Sequence, residues 1–181
     1  MNTYLALLRG INVGGKNRIK MADLRACFEE QGFGDVRTYI QSGNVIFAAD
    51  GSDRPALTGQ IEDALSTTFG YALPVAVRSH EELVAIVAQA PEGFGSEPDA
   101  YRYDFIFLKA PLTAEEALQH VSAKEGVDEV AAGEGVLYFS RLIARASQSR
   151  LSRIVGTPVY QNMTIRNWNT TTKLLSMMDE G

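Results

Sequence analysis

The order of apolar runs and turn residues limits what this chain can fold into more than any other feature. Residues 4–8 form a continuous apolar run of strand length, and a glycine-rich loop follows it. Apolar residues then recur at helical spacing across residues 21–28 and stop before Gly32, which can end a helix. The chain therefore begins with a predicted strand, a loop and a helix.

The next elements complete a series of six. Residues 36–41 and 45–49 are short β-prone runs on either side of a turn sequence, which predicts a hairpin. Pro55 stands where a first-turn proline would, apolar residues then recur every four positions before Gly70, and residues 75–77 form the next strand. The predicted order is β-α-β-β-α-β.

The same order returns in the second half. A helix opened by the capping box of Ser79 and Glu82 connects the halves, and the glycine- and proline-rich residues 91–99 predict a boundary loop. The second series comprises a strand at 105–108, a helix from Thr113 to residue 123, a hairpin of 127–132 and 136–140, a helix containing Leu151, Ile154 and Val155, a strand at 163–167, and a terminal helix in which Leu174, Leu175 and Met178 face inward.

This order predicts an α+β protein with two ferredoxin-like halves in tandem, because each half has the β-α-β-β-α-β series of that arrangement. The expected domains are residues 1–90, which include the connecting helix, and residues 100–181, which include the terminal helix. No residue-level repeat links the halves, so the duplication is predicted from the element order alone.

Composition agrees with a folded globular protein, since 45% of the residues are hydrophobic and 22% are charged. No apolar run reaches the roughly 18 residues of a membrane span, and the N-terminal run is too short for a signal peptide. We therefore expect a cytoplasmic protein that does not associate with membranes. A single cysteine, Cys27, excludes an internal disulfide, and with only His80 and His120 beside it no metal site or cofactor is expected.

Charge is distributed unevenly along the chain. The net charge is −5, yet residues 50–134 carry 16 acidic and five basic groups, whereas residues 135–181 carry six basic and two acidic groups. Such asymmetry can mark an anion-binding face. Scattered, solvated Arg and Lys side chains are the alternative, because clustering in sequence does not establish clustering in space.

The loop after the first strand is one candidate for ligand binding. Residues 10–16 have the spacing G-x-x-x-x-G-K of a phosphate-binding P-loop, but Asn17 replaces the Ser or Thr that would coordinate magnesium. No magnesium-dependent nucleotide hydrolysis is therefore expected. Glycine N–H groups beside Lys16, Arg18 and Lys20 favour a simpler anion nest. The alternative is a loop whose glycines only permit positive φ.

Polar residues also concentrate in the predicted hairpin turn. Gln41, Ser42 and Asn44 could hold the polar groups of a ligand. The simplest role of these residues is the hairpin turn itself, because Ser and Asn are the residues that a turn selects.

A third polar string runs from the last predicted strand into the terminal helix. Arg166 and Trp168 would share one face of an extended chain, and Asn169 or Thr170 would cap the helix. The helix N-terminus, with Lys173 nearby, would favour a phosphate or carboxylate. The alternative is that Trp168 is a buried anchor and the neighbouring Asn and Thr residues are ordinary caps.

Four strings resemble the bacterial domain-of-unknown-function family 1697 in sequence and in order: LLRGINVGGK at residues 7–16, MADL at 21–24, YIQSGNV at 39–45 and RNWNTTTKL at 166–174. The resemblance covers nearly the whole chain and implies a cytosolic bacterial α+β protein without a settled activity. It supplies no catalytic residues. Where the family usually has a Ser-Lys-Leu-like stretch, this chain has Ser149-Arg150-Leu151, which keeps the charge but provides no reactive lysine.

Three hypotheses follow. The first is a protein that binds a small anion, meaning a phosphorylated ligand, a nucleotide or a short single-stranded nucleic acid; the net negative charge argues against extensive duplex binding. The second is an enzyme on a phosphorylated or carboxylated metabolite, with Lys16 or Lys173 as an electrostatic catalyst, and the third is a structural interaction module. The sequence shows no pair of a nucleophile and a base that could carry out covalent catalysis.

The N-terminal loop is predicted to meet the segment 166–173 in space. The predicted ligand-binding residues are Arg9, Asn12, Gly14, Gly15, Lys16, Lys20, Gln41, Ser42, Asn44, Arg166, Asn167, Trp168, Asn169, Thr170 and Lys173.

Overall fold

The computed structural model describes all 181 residues, and these divide into two compact units. The first unit contains residues 1–84 together with residues 174–181, and the second contains residues 85–173. Each unit holds one four-stranded antiparallel sheet and a hydrophobic core on it. None of the helices is both long enough and apolar enough to cross a membrane.

Four strands form the sheet of the first unit: β1 (Asn2–Leu8), β2 (Gly34–Tyr39), β3 (Asn44–Ala49) and β4 (Val75–Ser79). Their order in the sheet is β2-β3-β1-β4, and every neighbouring pair is antiparallel. The strand that begins the chain is therefore central, and the loop that leaves its end is close to the β2–β3 turn. This is the ferredoxin-like order that the sequence predicts.

Two helices, α1 (Met21–Glu30) and α2 (Arg54–Phe69), cover one face of this sheet. The side chain of Asp53 caps the start of α2, as a residue before a first-turn proline can. Alternate residues of the strands point to this face, and the rings of Phe28 on α1 and Phe47 on β3 meet edge to face at 5.4 Å. Cys27 is buried in the same core.

The second unit repeats the arrangement with β5 (Tyr101–Leu108), β6 (Asp128–Gly133), β7 (Val136–Leu142) and β8 (Met163–Asn167). The strand order is β6-β7-β5-β8, again antiparallel throughout. One α-helix, α4 (Ala114–His120), begins after Thr113, whose Oγ1 accepts from the N–H of Glu116 at 3.2 Å. The predicted α+β class with two ferredoxin-like series is confirmed.

The helix predicted around Leu151, Ile154 and Val155 is wrong in type. The chain forms short 3₁₀ turns there, at Leu151–Gly156 and in the adjoining segments Ile143–Gln148 and Tyr160–Asn162. Leu151 and Ile154 are buried, whereas Val155 is exposed. Burial at a spacing of three residues fits the three residues per turn of a 3₁₀ helix, and nothing extends the apolar stripe to make an α-helix.

Two further helices, α3 (His80–Ala88) and α5 (Trp168–Asp179), each follow the last strand of a sheet. The predicted capping box of α3 is confirmed, since Ser79 Oγ accepts from the N–H of Glu82 at 3.1 Å and Glu82 Oε2 accepts from the N–H of Ser79 at 2.8 Å.

The predicted cap of α5 at Asn169 or Thr170 is wrong. Asn167 Oδ1 accepts from the N–H of Thr170 at 2.8 Å, so Asn167 is the cap. Asn167 is still paired with Asp104 in the sheet, and the chain passes directly from strand to helix. Trp168 is consequently the first helical residue, and the predicted extended geometry that would place it on the same face as Arg166 does not occur.

Candidate functional site

The loop between β1 and α1 owes its shape to five residues with positive φ: Gly10, Asn12, Gly14, Gly15 and Asn17. Glycine adopts this conformation without strain, and asparagine tolerates it better than most residues. A tight turn closes the tip of the loop, where the N–H of Lys16 donates to the Val13 carbonyl at 3.1 Å. The repeated left-handed conformation folds the loop into a compact hairpin-like structure.

Asn12 holds this loop to its surroundings. Its Oδ1 accepts from the N–H of Ile19 at 2.8 Å, and its Nδ2 donates to the carbonyls of Ile19 at 3.0 Å and Gln41 at 2.8 Å. Both amide hydrogens are therefore used within the protein. The side chain of Asn12 shapes the site by joining the loop to the β2–β3 turn.

Two basic residues, Arg18 and Lys20, line an open cavity of about 630 Å³ at this junction, and Lys16 is the chain neighbour of the lining residue Gly15. Lys16, Arg18 and Lys20 are exposed, and none of them is paired with a carboxylate. The Arg18 guanidinium lies close to Gly15, since a Cβ at that glycine would be 3.8 Å from Nη2. The cavity is lined by Asn12, Gly15, Arg18, Ile19, Lys20, Met21 and Gln41.

The start of α1 also faces this cavity, because Lys20 and Met21 are among its lining residues. Lys20 occupies the N-cap position, and its side chain makes no capping hydrogen bond. The first N–H groups of α1 are thus left without a side-chain acceptor, and they add a partial positive charge to that of the basic residues. Asp23 is the one acidic residue in the first turn.

The loop differs from a P-loop in the position of its helix. In a P-loop the lysine and the following hydroxyl residue begin the helix that receives the phosphates. Here α1 begins at Met21, and Asn17 lies inside the loop, where its Nδ2 donates to the Gly10 carbonyl at 3.3 Å. The loop therefore lacks both the helix start and the magnesium-binding hydroxyl of a P-loop.

The β2–β3 turn forms the other side of the cavity. Gly43 has a φ of +83°, and a Cβ there would lie 2.7 Å from Leu8 Cβ, so only glycine fits. Asn44 is buried, and its Nδ2 donates to the Tyr39 carbonyl and to Ser42 Oγ, both at 2.9 Å. These polar residues hold the turn, as the alternative without a ligand predicts.

Gln41 differs from its neighbours in the turn because its side chain is exposed and lines the cavity. Arg9 is half-buried, and its backbone N–H donates to the Pro74 carbonyl at 3.3 Å. Gly14 is exposed at the tip of the loop. Of the predicted residues in this unit, Asn12, Gly15, Lys20 and Gln41 line the cavity together.

Arg18 lines the cavity; the sequence places it beside the glycines of the predicted anion nest, although it is not in the set of predicted ligand-binding residues. Ile19 and Met21 also line it. Their apolar side chains give no sign in sequence that distinguishes a cavity wall from a core.

In the second unit, Arg166 lies on β8, and its Nη1 donates to the Ile165 carbonyl at 2.9 Å. Burial lowers the pKa of Arg166 to about 10, because the charged guanidinium is partly removed from water. The guanidinium of Arg166 is therefore more removed from water than that of an exposed anion-binding arginine would be.

Trp168 packs within the same unit. Its indole stacks on Phe105 with ring centres 5.8 Å apart and meets Phe94 edge to face at 5.8 Å. A Cβ at Gly95 would lie 2.5 Å from Trp168 Cε2, so the backbone at Gly95 rests on the indole. These contacts favour the anchor over a stacking platform for a nucleobase.

The remaining residues of this segment divide between structure and surface. Asn167 is the helix cap, Thr170 is buried, and Asn169 and Lys173 are exposed. The Gly-rich loop belongs to the first unit and Lys173 to the second. That the two strings form one site stays a prediction.

Comparison with known proteins supports the fold and identifies the family. A solved structure titled "The structure of conserved bacterial protein SP0830 from Streptococcus pneumoniae" is similar at a TM-score of 0.86 and 26% sequence identity, and the match covers 99% of each chain. The comparison with curated proteins found no match. The family model described as "Protein of unknown function (DUF1697)" matches residues 1–138, and the chain therefore belongs to the DUF1697 family.

Proposed function

We propose that this protein binds a small anionic ligand, such as a phosphorylated metabolite, a nucleotide or the end of a single-stranded nucleic acid, in the cavity beside the β1–α1 loop. The observation that carries the proposal is that Arg18 and Lys20 line the cavity, that Lys16 adjoins the lining residue Gly15, and that none of these three exposed basic residues has a carboxylate partner. Like charges held together repel each other, and an anion placed between them relieves that repulsion.

The backbone supports the same conclusion. The first turn of α1 has no side-chain cap and opens toward the cavity, and helix N-termini favour anions. The basic side chains would attract the ligand by their charge, and the N–H groups of α1 would orient the same ligand through hydrogen bonds. The net charge of −5 favours a small ligand over an extended nucleic acid, because most of the surface repels a polyanion.

The experiment compares two arginine variants of the first unit. Arg18 lines the cavity, whereas Arg25 is exposed on α1 and does not line it. Pyrophosphate, adenosine monophosphate and a short single-stranded oligonucleotide are titrated by calorimetry at low and at moderate salt. Arg18→Ala should weaken binding of any of these ligands by roughly five- to tenfold, the effect of one charge-assisted contact, and Arg25→Ala should leave it unchanged.

Equal effects of Arg18→Ala and Arg25→Ala would mean that the anion responds only to the overall charge, and the cavity would be the wrong place. Failure of all three ligands to bind would also contradict the proposal. Binding through this site should weaken as salt rises, because its side-chain contacts are ionic.

A further inference from the structure

Charged side chains gather at one end of the sheet in the second unit. Arg102 and Asp104 share a face of β5 with the core residue Ile106, because alternate residues of a strand point to the same side. Arg102 is directly opposite Arg141 on β7, and Arg141 is directly opposite Asp128 on β6. Two arginines and two aspartates therefore lie side by side at the end of the apolar core of this unit.

The carboxyl group of Asp104 is buried without a direct partner. The residue is 7% exposed, and its side chain makes no hydrogen bond and no ion pair. Burial raises the pKa of this carboxyl, and the positive charges of Arg141 and Arg102 oppose the rise without cancelling it. A hydrogen-bond donor supplied at this position would offset the cost of burying the carboxylate.

Arg141 and Asp128 each leave a buried polar atom unpaired. Arg141 Nε and Asp128 Oδ1 have no hydrogen-bond partner, although the two residues are cross-strand neighbours. The other oxygen of Asp128, Oδ2, accepts from the N–H groups of Lys124 at 2.9 Å and Arg150 at 2.8 Å. Asp128 is thus committed to the backbone of two neighbouring segments, and Arg141 is left without a carboxylate partner.

The two arginines are an unfavourable pair by themselves. Like charges directly opposite each other on neighbouring strands destabilise a sheet. Arg102 is exposed and Arg141 is half-buried, and neither forms an ion pair. A carboxylate between them would accept from both guanidinium groups, whose planar fork of donors matches its two oxygens. This end of the sheet therefore lacks an acceptor for its arginines and a donor for Asp104.

We propose that this end of the second sheet binds the zwitterion of a free α-amino acid, whose carboxylate lies between Arg102 and Arg141 and whose ammonium donates to Asp104. A simple anion would satisfy the arginines but repel the Asp104 carboxylate, and a simple cation would do the reverse. The two charged groups of an α-amino acid are attached to one carbon, which suits opposite charges on adjacent side chains of one sheet face. This site belongs to the second unit, whereas the proposed anion cavity belongs to the first.

The test begins with the standard L-amino acids, screened singly for an increase in the midpoint of thermal unfolding, because a ligand of the folded state stabilises it. The amino acid with the largest effect is then titrated by calorimetry beside its methyl ester, which lacks the carboxylate, and its N-acetyl form, which lacks the ammonium. Each derivative should bind about tenfold more weakly or worse, because each loses one charge-assisted contact. The proposal is wrong if no amino acid binds, or if the N-acetyl form binds as tightly as the free amino acid.

Two variants connect each charge of the ligand to a residue. Arg141→Gln should weaken binding of the free amino acid about tenfold and remove its advantage over the methyl ester. Asp104→Asn should instead remove its advantage over the N-acetyl form. Arg153→Gln and Asp99→Asn take the same charges from exposed positions outside the strands of this unit, and they should leave the affinity unchanged.

Circular dichroism establishes that each variant is folded, and Arg102→Gln takes the place of Arg141→Gln should the latter unfold. Equal effects of Asp104→Asn and Asp99→Asn would overturn the proposal, because Asp104 would then make no specific contact with the ammonium. Equal effects of Arg141→Gln and Arg153→Gln would overturn it as well, because the ligand would then respond only to the charge of the unit.

Discussion

Arg78 and Arg166 occupy equivalent positions in the two sheets. Arg78 pairs with Leu5, three residues before the end of β1, and Arg166 pairs with Phe105, three residues before the end of β5. In each case Nη1 donates to the carbonyl of the preceding residue, at 2.8 Å for Arg78 and 2.9 Å for Arg166. Burial lowers the pKa of each to about 10.

The equivalence continues into the next element. Arg78 is followed by Ser79, which caps α3, and Arg166 is followed by Asn167, which caps α5. The duplication of the two units therefore reaches individual side chains. Sequence comparison of the halves does not reveal it, because serine and asparagine cap a helix equally well and differ in sequence.

Gly95→Ala should destabilise the protein by about 2 kcal/mol or more, because the new Cβ would lie 2.5 Å from Trp168 Cε2. Gly93→Ala is the matched control. Both glycines have positive φ, +85° and +79°, but at Gly93 the nearest atom to a Cβ is Ser96 Oγ at 3.6 Å. Trp168 is the only tryptophan, so urea unfolding followed by its fluorescence reports on the change directly. Equal destabilisation by the two variants would show that backbone strain alone is responsible.

Asn12→Asp should destabilise the first unit by roughly 2 kcal/mol. The change keeps the oxygen that accepts from the N–H of Ile19 but places a carboxylate oxygen against the carbonyls of Ile19 and Gln41. Asn17→Asp adds the same charge in the same loop, where the asparagine side chain makes one longer hydrogen bond of 3.3 Å, and should cost less. Urea titration measures both. The role of Asn12 in joining the loop to the turn would be wrong if the two substitutions cost the same.

Asn167→Ala should cost about 0.5 to 2 kcal/mol through the loss of the cap of α5, and Asn169→Ala should cost less. The distinction follows from the hydrogen bond of Asn167 Oδ1 to the N–H of Thr170, because Asn169 is exposed in the first turn. Thermal unfolding monitored by circular dichroism tests the order of the two effects. A larger loss for Asn169→Ala would restore the cap position predicted from sequence.

Asp104→Asn should stabilise the protein at pH 7 and stabilise it less at pH 4. Asp104 is 7% exposed, and burial raises the pKa of its carboxyl above the ordinary value of 3.8, although nearby Arg141 and Arg102 oppose the rise. The folded state binds this proton more tightly than the unfolded state does. Ionised Asp104 therefore reduces stability at pH values above the unfolded pKa, and this loss disappears as pH falls and both states are protonated.

Urea unfolding of the wild-type protein and Asp104→Asn at the two pH values measures this effect. Asp99→Asn, at an exposed position of the same unit, controls for the loss of one negative charge. A gain in stability that is larger at pH 4 than at pH 7, or a loss at pH 7, would show that the two arginines outweigh burial.

The elements that could be predicted from sequence depend on residues close together in the chain. The capping box of Ser79 and Glu82 spans three residues, and the β2–β3 hairpin follows from two β-prone runs around one turn. The strand orders follow once these elements form two ferredoxin-like series. The basic residues beside the glycine-rich loop could also be identified from the sequence, because charge and turn preference follow directly from the type of each residue.

The tertiary structure decided what depends on contacts between distant segments. Whether Leu151 and Ile154 belong to an α-helix or a 3₁₀ turn depended on which side chains found a buried surface, and Trp168 became an anchor because Gly95 lets the backbone rest on its indole. The cavity is lined by residues far apart in the chain, among them Asn12 and Gln41, which a hydrogen bond joins across 29 positions. Local propensity is a sum over neighbouring residues, so it sets the order of the elements. The site depends on packing and hydrogen bonds that form only when the chain has folded.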